Sequence, residues 1–186
     1  MPVHPGDPRV AFTRVRTHER DGYEVAQLCL GTHSGTHVDA PRHFFPEGAT
    51  LDLYPLDRLA GPAVVIDCRP APGAAPIVEA AFLRERLYTY PVAAGGIVLL
   101  WTEGATLTAE AAQLLVESGV GLVGTDAPGV DVEPYPAHRL LLGHGILLAE
   151  NLCGLDRLGP GPVNCALLPL AAVGTDGAPL RAIAWR

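Results

Sequence analysis

At 186 residues the chain is long enough for one domain with a sizeable core, and 48% hydrophobic against 18% charged residues excludes a disordered chain. The net charge is −7, and the thirteen basic residues are all arginine, which leaves no basic stripe for a phosphate backbone and argues against nucleic acid. No apolar run approaches the roughly 20 residues that span a bilayer, and proline and aspartate stand where a signal peptide has its apolar centre, so a cytoplasmic protein is expected. Cys29, Cys68, Cys153 and Cys165 are far apart in apolar surroundings with no C-x-x-C pair, and are expected as buried, reduced thiols.

Prolines at 2, 5 and 8 predict an extended, turn-rich lead-in, with His4 solvated. Tyr23–Leu30 reads as a strand running into His33-Ser-Gly-Thr-His-Val-Asp-Ala-Pro-Arg-His43, where three of the chain's seven histidines fall within eleven residues. In an extended segment side chains alternate faces, so His33, His37, Asp39 and His43 would project to one side. On a helix Asp39 would lie about 120° from His33, and Gly35, Ala40 and Pro41 disfavour helix. Pro41 removes a ladder donor, so the strand is expected to end there in a loop. Three histidines and an aspartate on one face would be costly to bury without a cation. Imidazole and carboxylate without a nearby thiolate suit zinc, manganese or iron at an open site.

Phe44 and Phe45 follow, as pocket wall or as core, before a turn through Thr50. Pro62–Asp67 is a buried strand, residues 70–76 a surface loop, and Ile77–Leu87 an amphipathic helix. Gly95–Trp101 is a strand, Thr108 caps a helix that Gly119 stops, and Val120–Asp126 is a second strand. This βαβ unit makes part of the sheet parallel. Asp126 ends its strand where ligands of α/β sheets gather, and either lines a site or caps the turn Ala127-Pro-Gly129. A short helix from His138 and a strand ending near Glu150 come next, then strands at Asn164–Leu170 and Arg181–Trp185. Glu150 sits between Ile146-Leu-Leu-Ala and Asn-Leu, where an unpaired charge is costly. His144 is read as a polar residue near a helix end.

His33, Gly35, Thr36, His37, Asp39, Pro41 and His43 reproduce the pattern H-x-G-T-H-x-D-x-P-x-H, and His138 with Glu150 fits H-x-x-L-L…E-N-L. In these residues the chain resembles the cyclase-like metal hydrolases, the family of bacterial kynurenine formamidase and isatin hydrolase. The resemblance covers nearly the whole chain. It implies a single α/β domain over residues 1–186, of swivelling β/β/α type with a mixed sheet. It implies one or two divalent ions, zinc or manganese, with His33, His37 and Asp39 holding one and Asp39 bridging to a second held by His138 and Glu150. His43 is implied as general acid in the hydrolysis of a small amide, an arylformamide such as N-formylkynurenine before an isatin-like cyclic amide or a lactone. Phe44, Phe45 and Trp101 are the aromatic candidates for substrate contact. A binding protein that keeps the ligands without turnover is the alternative of a different class. Family members carry an extra strand ahead of the point where this chain starts, so either the start lies upstream or another element or subunit covers the exposed edge. With the apolar composition, this predicts a homo-oligomer, dimer or tetramer.

Overall fold

The computed structural model describes residues 3–186. After the proline-rich lead-in, β1 (Ala11–Arg16), the single turn α1 (His18–Asp21) and β2 (Val25–Cys29) form an antiparallel hairpin standing apart from the rest. The chain then runs β3 (His37–Asp39), three short 3₁₀ turns, β4 (Ala60–Asp67), β5 (Ile77–Val78), α2 (Ala80–Thr89), β6 (Ile97–Trp101), β7 (Thr106–Leu107) and α3 (Ala109–Glu117). It closes with β8 (Leu122–Thr125), α4 (Pro136–Gly143), β9 (Leu147–Glu150), the single turn α5 (Leu155–Leu158), β10 (Gly161–Pro169) and β11 (Gly177–Trp185).

Seven strands close into a barrel in the order β10-β11-β3-β9-β8-β6-β4. The run β4-β6-β8-β9 is parallel and the remaining pairings are antiparallel, giving the mixed sheet of the expected α/β fold. Alternation along the parallel strands splits the apolar side chains between two cores. Ala63, Val65, Ile97, Leu99, Leu122 and Leu147 fill the barrel. Val64, Ile66, Val98, Leu100, Val123 and Leu148 face outward under α2, α3 and α4, whose Leu83, Leu115 and Leu141 are buried against them. Strands buried on both faces explain why these segments read as unbroken apolar runs.

Thr108 caps α3, its Oγ1 accepting from the Ala111 amide, as its position ahead of Ala109 predicts. The expected helix over Ile77–Leu87 begins later. Ile77 and Val78 pair in parallel with Thr106 and Leu107, and α2 starts only at Ala80. Two adjacent β-branched side chains favour a pleated partner over the first turn of a helix. The barrel has no open edge; among the described residues, unpaired strand edges are confined to the β1–β2 hairpin and the β5–β7 pair. Cys68 and Cys165 are buried, and burial pushes their thiols up to about 12 and about 11. Cys29 and Cys153 are exposed, contrary to expectation: Cys29 lies on the isolated hairpin and Cys153 in the loop after β9.

Asp126 is a turn residue, but for the turn after β6, not the one that follows it. Its carboxylate accepts from Thr102 N (2.7 Å), Thr102 Oγ1 (2.7 Å) and Glu103 N (3.0 Å), holding Glu103 at φ +50°. Asp126→Ala is therefore expected to lower unfolding free energy by about 1.5–3 kcal/mol, the usual loss for bonds to a charged acceptor, measured by urea denaturation. Metal content should stay unchanged, because Asp126 does not line the cavity over the cluster of histidines and carboxylates.

Candidate metal centre

Strand β3 supplies the middle of the site. Val38 points into the barrel, so His37 and Asp39, two residues apart, share the opposite side. Pairing of β3 with β9 sets His37 directly across from Glu150. His37 Nε2 lies 3.2 Å from Asp39 Oδ1 and 3.5 Å from Glu150 Oε2, while its Nδ1–H donates to the Gly35 carbonyl at 2.8 Å. That hydrogen bond leaves Nε2 as the free lone pair.

His138 arrives from the first turn of α4. Asp131 accepts from the Ala137 amide and from His138 Nδ1, tying the start of the helix and the imidazole to one carboxylate. His138 Nε2 is thereby turned to Glu150 Oε1 at 3.0 Å, and the same oxygen accepts from Val130 N at 3.2 Å. His33 places Nδ1 2.7 Å from Asp39 Oδ1 and Nε2 2.8 Å from Asp176 Oδ2. His43 directs Nδ1 to that same Asp176 oxygen at 3.2 Å, with its ring 3.9 Å from that of His33.

The sequence expectation that His33, His37, Asp39 and His43 gather by strand alternation holds only for His37 and Asp39. His33 lies in the turn ahead of β3, reversed at Gly35 (φ +68°), and His43 ends the 3₁₀ turn that Pro41 opens. Folding back of these two turns replaces alternation as the cause of their convergence. One ligand-type atom from each of His33, His37 and Asp39 lies within 4.8 Å of the others, and the same holds for Asp39, His138 and Glu150 and for His33, His43 and Asp176.

Charge shows why a cation suits this place. Asp39 and Glu150 are 1% and 4% exposed, with a carboxylate oxygen of each within 4.8 Å of the other. Burial and the Asp39 charge push the Glu150 carboxyl up. Burial works the same way on Asp39, but His33 and His37 outweigh it and hold that group below the usual range. Burial opposes the His33 cation, yet Asp176 and Asp39 raise it to about 10; Asp131 and Glu150 overcome burial at His138 and raise it to about 9. The carboxylates thus draw protons onto the histidines where no other cation balances them. Imidazole nitrogens and carboxylate oxygens with no thiolate form a donor set that fits a divalent ion of the zinc or manganese type.

A cavity of about 680 Å³ opens over these groups, walled by Val3, His4, Phe44, Pro128, Val132 and Tyr135. Phe44 stacks on His138 at 5.2 Å and meets the edge of Tyr135. Phe45 is no wall: it packs on the helical core against Gly143, whose missing side chain makes room. Trp101 is also absent from the cavity, since the alternation of β6 turns it toward the barrel and Arg69 stacks on its ring at 3.6 Å. His4 is exposed, as the proline-rich lead-in suggested, and also lines the cavity. His144 ends α4 and bonds Leu140 O, away from the site. Sequence reading missed Asp131, Tyr135 and Asp176. Asp131 could have been suspected as an acid just ahead of Pro136 at a helix start; Asp176, 143 residues from His33, carries no local signal.

The chain matches the Cyclase family model, described as "Putative cyclase", over residues 1–132. It is 36% identical over 199 residues to a kynurenine formamidase of Salinibacter ruber (strain DSM 13855 / M31), covering 97% of this chain and 90% of the relative. An isatin hydrolase bound to the product analogue thioisatinate superposes with a TM-score of 0.83 at 25% identity, over 96% of this chain and 82% of that one. A potential metal-dependent hydrolase with cyclase activity gives a TM-score of 0.78 at 27% identity, over 98% and 90%.

Chelated protein should lose stability as pH rises. His33 and His138 are raised above an ordinary value of 6.5, so their contribution is complete below that value and is lost as pH climbs through about 9 to 10. Urea midpoints of the chelated protein taken from pH 6.5 to 10 are expected to fall, and to fall less with zinc added. A flat profile would show that these pairs do not govern stability.

Proposed function

The chain belongs to the cyclase family, and from that premise we propose that it hydrolyses small amides with divalent metal, an arylformamide such as N-formylkynurenine being the first substrate to test. The observation that carries this reading is the way three histidines are held. Each has one ring nitrogen tied to an acceptor, Gly35 O, Asp131 or Asp176, and the other turned to Asp39 or Glu150. On this reading His33, His37 and Asp39 hold one ion, while Asp39, His138 and Glu150 hold a second. Zinc is favoured, with manganese as the alternative. Divalent ions in such a set supply Lewis acidity toward the amide carbonyl and lower the pKa of water from 15.7 to about 7.

The remaining work falls to the chain's own residues. Phe44, Tyr135 and Val132 receive an aromatic ring above the donor set. His43, partly exposed at the cavity with Nδ1 on Asp176, keeps Nε2 free to carry a proton from water to the departing nitrogen. His43 Nε2 takes a proton from water as the carbonyl carbon gains the hydroxyl, then gives that proton to the nitrogen as the carbon–nitrogen bond breaks. Acid and amine leave and His43 returns to its starting form, typically a gain of about 10²–10⁴-fold for such catalysis. Ring opening of an isatin-like cyclic amide or a lactone uses the same groups; the likeness to an isatin hydrolase favours it as the second reading. A metal-binding protein without turnover would have no use for His43.

His43→Ala should keep the metal and lose about 10²–10⁴-fold in kcat, whereas His37→Ala or Asp39→Ala should lose metal as well. Elemental analysis beside turnover of N-formylkynurenine, isatin and cyclic imides, with zinc and with manganese, separates these outcomes. Metal loss in His43→Ala would reverse the assigned roles. Activity in fully metal-free protein would rule out metal-dependent hydrolysis.

We also propose a homo-oligomer, at least a dimer. All of β1 is exposed, and Phe12 and Leu28, paired across the hairpin, are 58% and 64% exposed. An isolated two-stranded hairpin is marginal in water without a surface to pack on. Sedimentation is expected to give a dimer or tetramer at micromolar concentration, and Phe12→Asp to shift it toward monomer.

A further inference from the structure

We propose that Asp176 is the positioning residue of this site, a single carboxylate that sets the hydrogen placement and orientation of His33 and His43 together. The inference rests on the proposed roles of these two residues, His33 toward the metal and His43 toward the leaving group. Its geometry is independent of any substrate.

Asp176 Oδ2 lies 2.8 Å from His33 Nε2 and 3.2 Å from His43 Nδ1. A carboxylate oxygen can only accept, so both of these nitrogens carry hydrogen. His33 Nδ1 faces Asp39 Oδ1 at 2.7 Å and by the same rule carries hydrogen there; a cation taken up between the two would displace that hydrogen, and with Nε2 held on Asp176 it is Nδ1 that would present the lone pair. For His43 it leaves Nε2 as the one free to exchange a proton with substrate. The two rings lie 3.9 Å apart and 33° from parallel, gathered on one oxygen. Without it, nothing among the described residues in contact with His43 selects one nitrogen over the other; its remaining ring neighbour, Phe44, meets it edge-on at 4.9 Å and offers no acceptor.

The backbone fixes Asp176 as firmly as it fixes the ligands. Its carbonyl accepts from Ala40 N at 2.8 Å, the Thr175 carbonyl accepts from Leu51 N at 3.0 Å, and Gly177 pairs with Asp39 in the β11–β3 ladder. A side chain at 177 would begin 2.9 Å from His33 Cε1 and 2.6 Å from the Val38 carbonyl. The aspartate therefore reaches His33 because the next residue has no Cβ to block the ring. The turn into β11 places an acceptor behind His33, in the turn ahead of β3, as a supporting partner of a metal-bound imidazole must be placed.

The test uses zinc-loaded full-length protein, Asp176→Ala, and Asp176→Asn, which keeps the shape and one neutral acceptor. Zinc affinity by chelator competition is expected to weaken about 10–100-fold in Asp176→Ala, with Asp176→Asn between it and the wild type. Imidazole nitrogen shifts in NMR should show His43 as a single Nδ1–H tautomer in the wild type and as a mixture in the alanine variant. With an amide substrate, kcat should fall and KM stay nearly constant. A folded variant with unchanged zinc affinity and an unchanged His43 tautomer overturns the proposal. So does loss of one whole zinc equivalent, which would make Asp176 a ligand. If Asp176→Ala does not fold, the same two readouts on Asp176→Asn decide. If the tautomer and affinity shift but the wild type hydrolyses none of the amides, the functional reading fails and the positioning role stands.

Discussion

Two carboxylates, Asp39 and Glu150, are buried next to one another on the paired strands β3 and β9, and the arrangement of the site follows from that fact. Like charges taken out of water must be balanced by cations or give up their ionisation. Every histidine close to them serves that balance. His33 and His37 meet Asp39, and His138 meets Glu150. The second nitrogens of these rings are then occupied by Asp176, Gly35 O and Asp131, which stops the imidazoles from turning away. Removing a single histidine would leave a carboxylate with less than it needs, so these groups act as a unit and their effects should not add.

The barrel is what makes such a cluster possible. Because β4, β6, β8 and β9 are covered on both faces, their side chains are nearly all apolar and are divided between the two cores. The site's polar groups come from strand ends, from the very short β3 and from the turns beside them. β3 contributes three residues, two of them ligand-type, and β9 contributes Glu150 at its last position. The helix after β8 delivers His138, and the bend just ahead of β11 delivers Asp176. The chemistry thus sits where the parallel and antiparallel halves of the sheet meet, with a cavity above it whose walls come from Phe44, Val132 and Tyr135.

Legibility in the sequence follows locality. The strands of the parallel run, the Thr108 cap and the reading of His144 depend on neighbours a few residues apart, and the structure agrees with them. The Ile77–Val78 pair reads as helix in the sequence because its partner, Thr106–Leu107, lies beyond an intervening helix and strand. The aromatic candidates divide for the same reason. Phe44 and Phe45 are adjacent and chemically identical, and only the path of the 3₁₀ turn after Pro41 sends one to the cavity and the other under α4. Trp101 has the composition of a pocket wall, but its place in the alternation of β6 turns it to the barrel.

By itself the sequence determined the α/β class, the donor types and the resemblance on which the family rests, since these reside in periodicity and in motifs of about a dozen residues. Only the tertiary structure decided that His33 and His43 meet through folded turns and not through an extended strand. It alone placed Asp131 behind His138 and Asp176 between His33 and His43. The reason is physical: a hydrogen bond across 143 residues is set by strand register and barrel closure, and neither leaves a pattern within the segments that it joins.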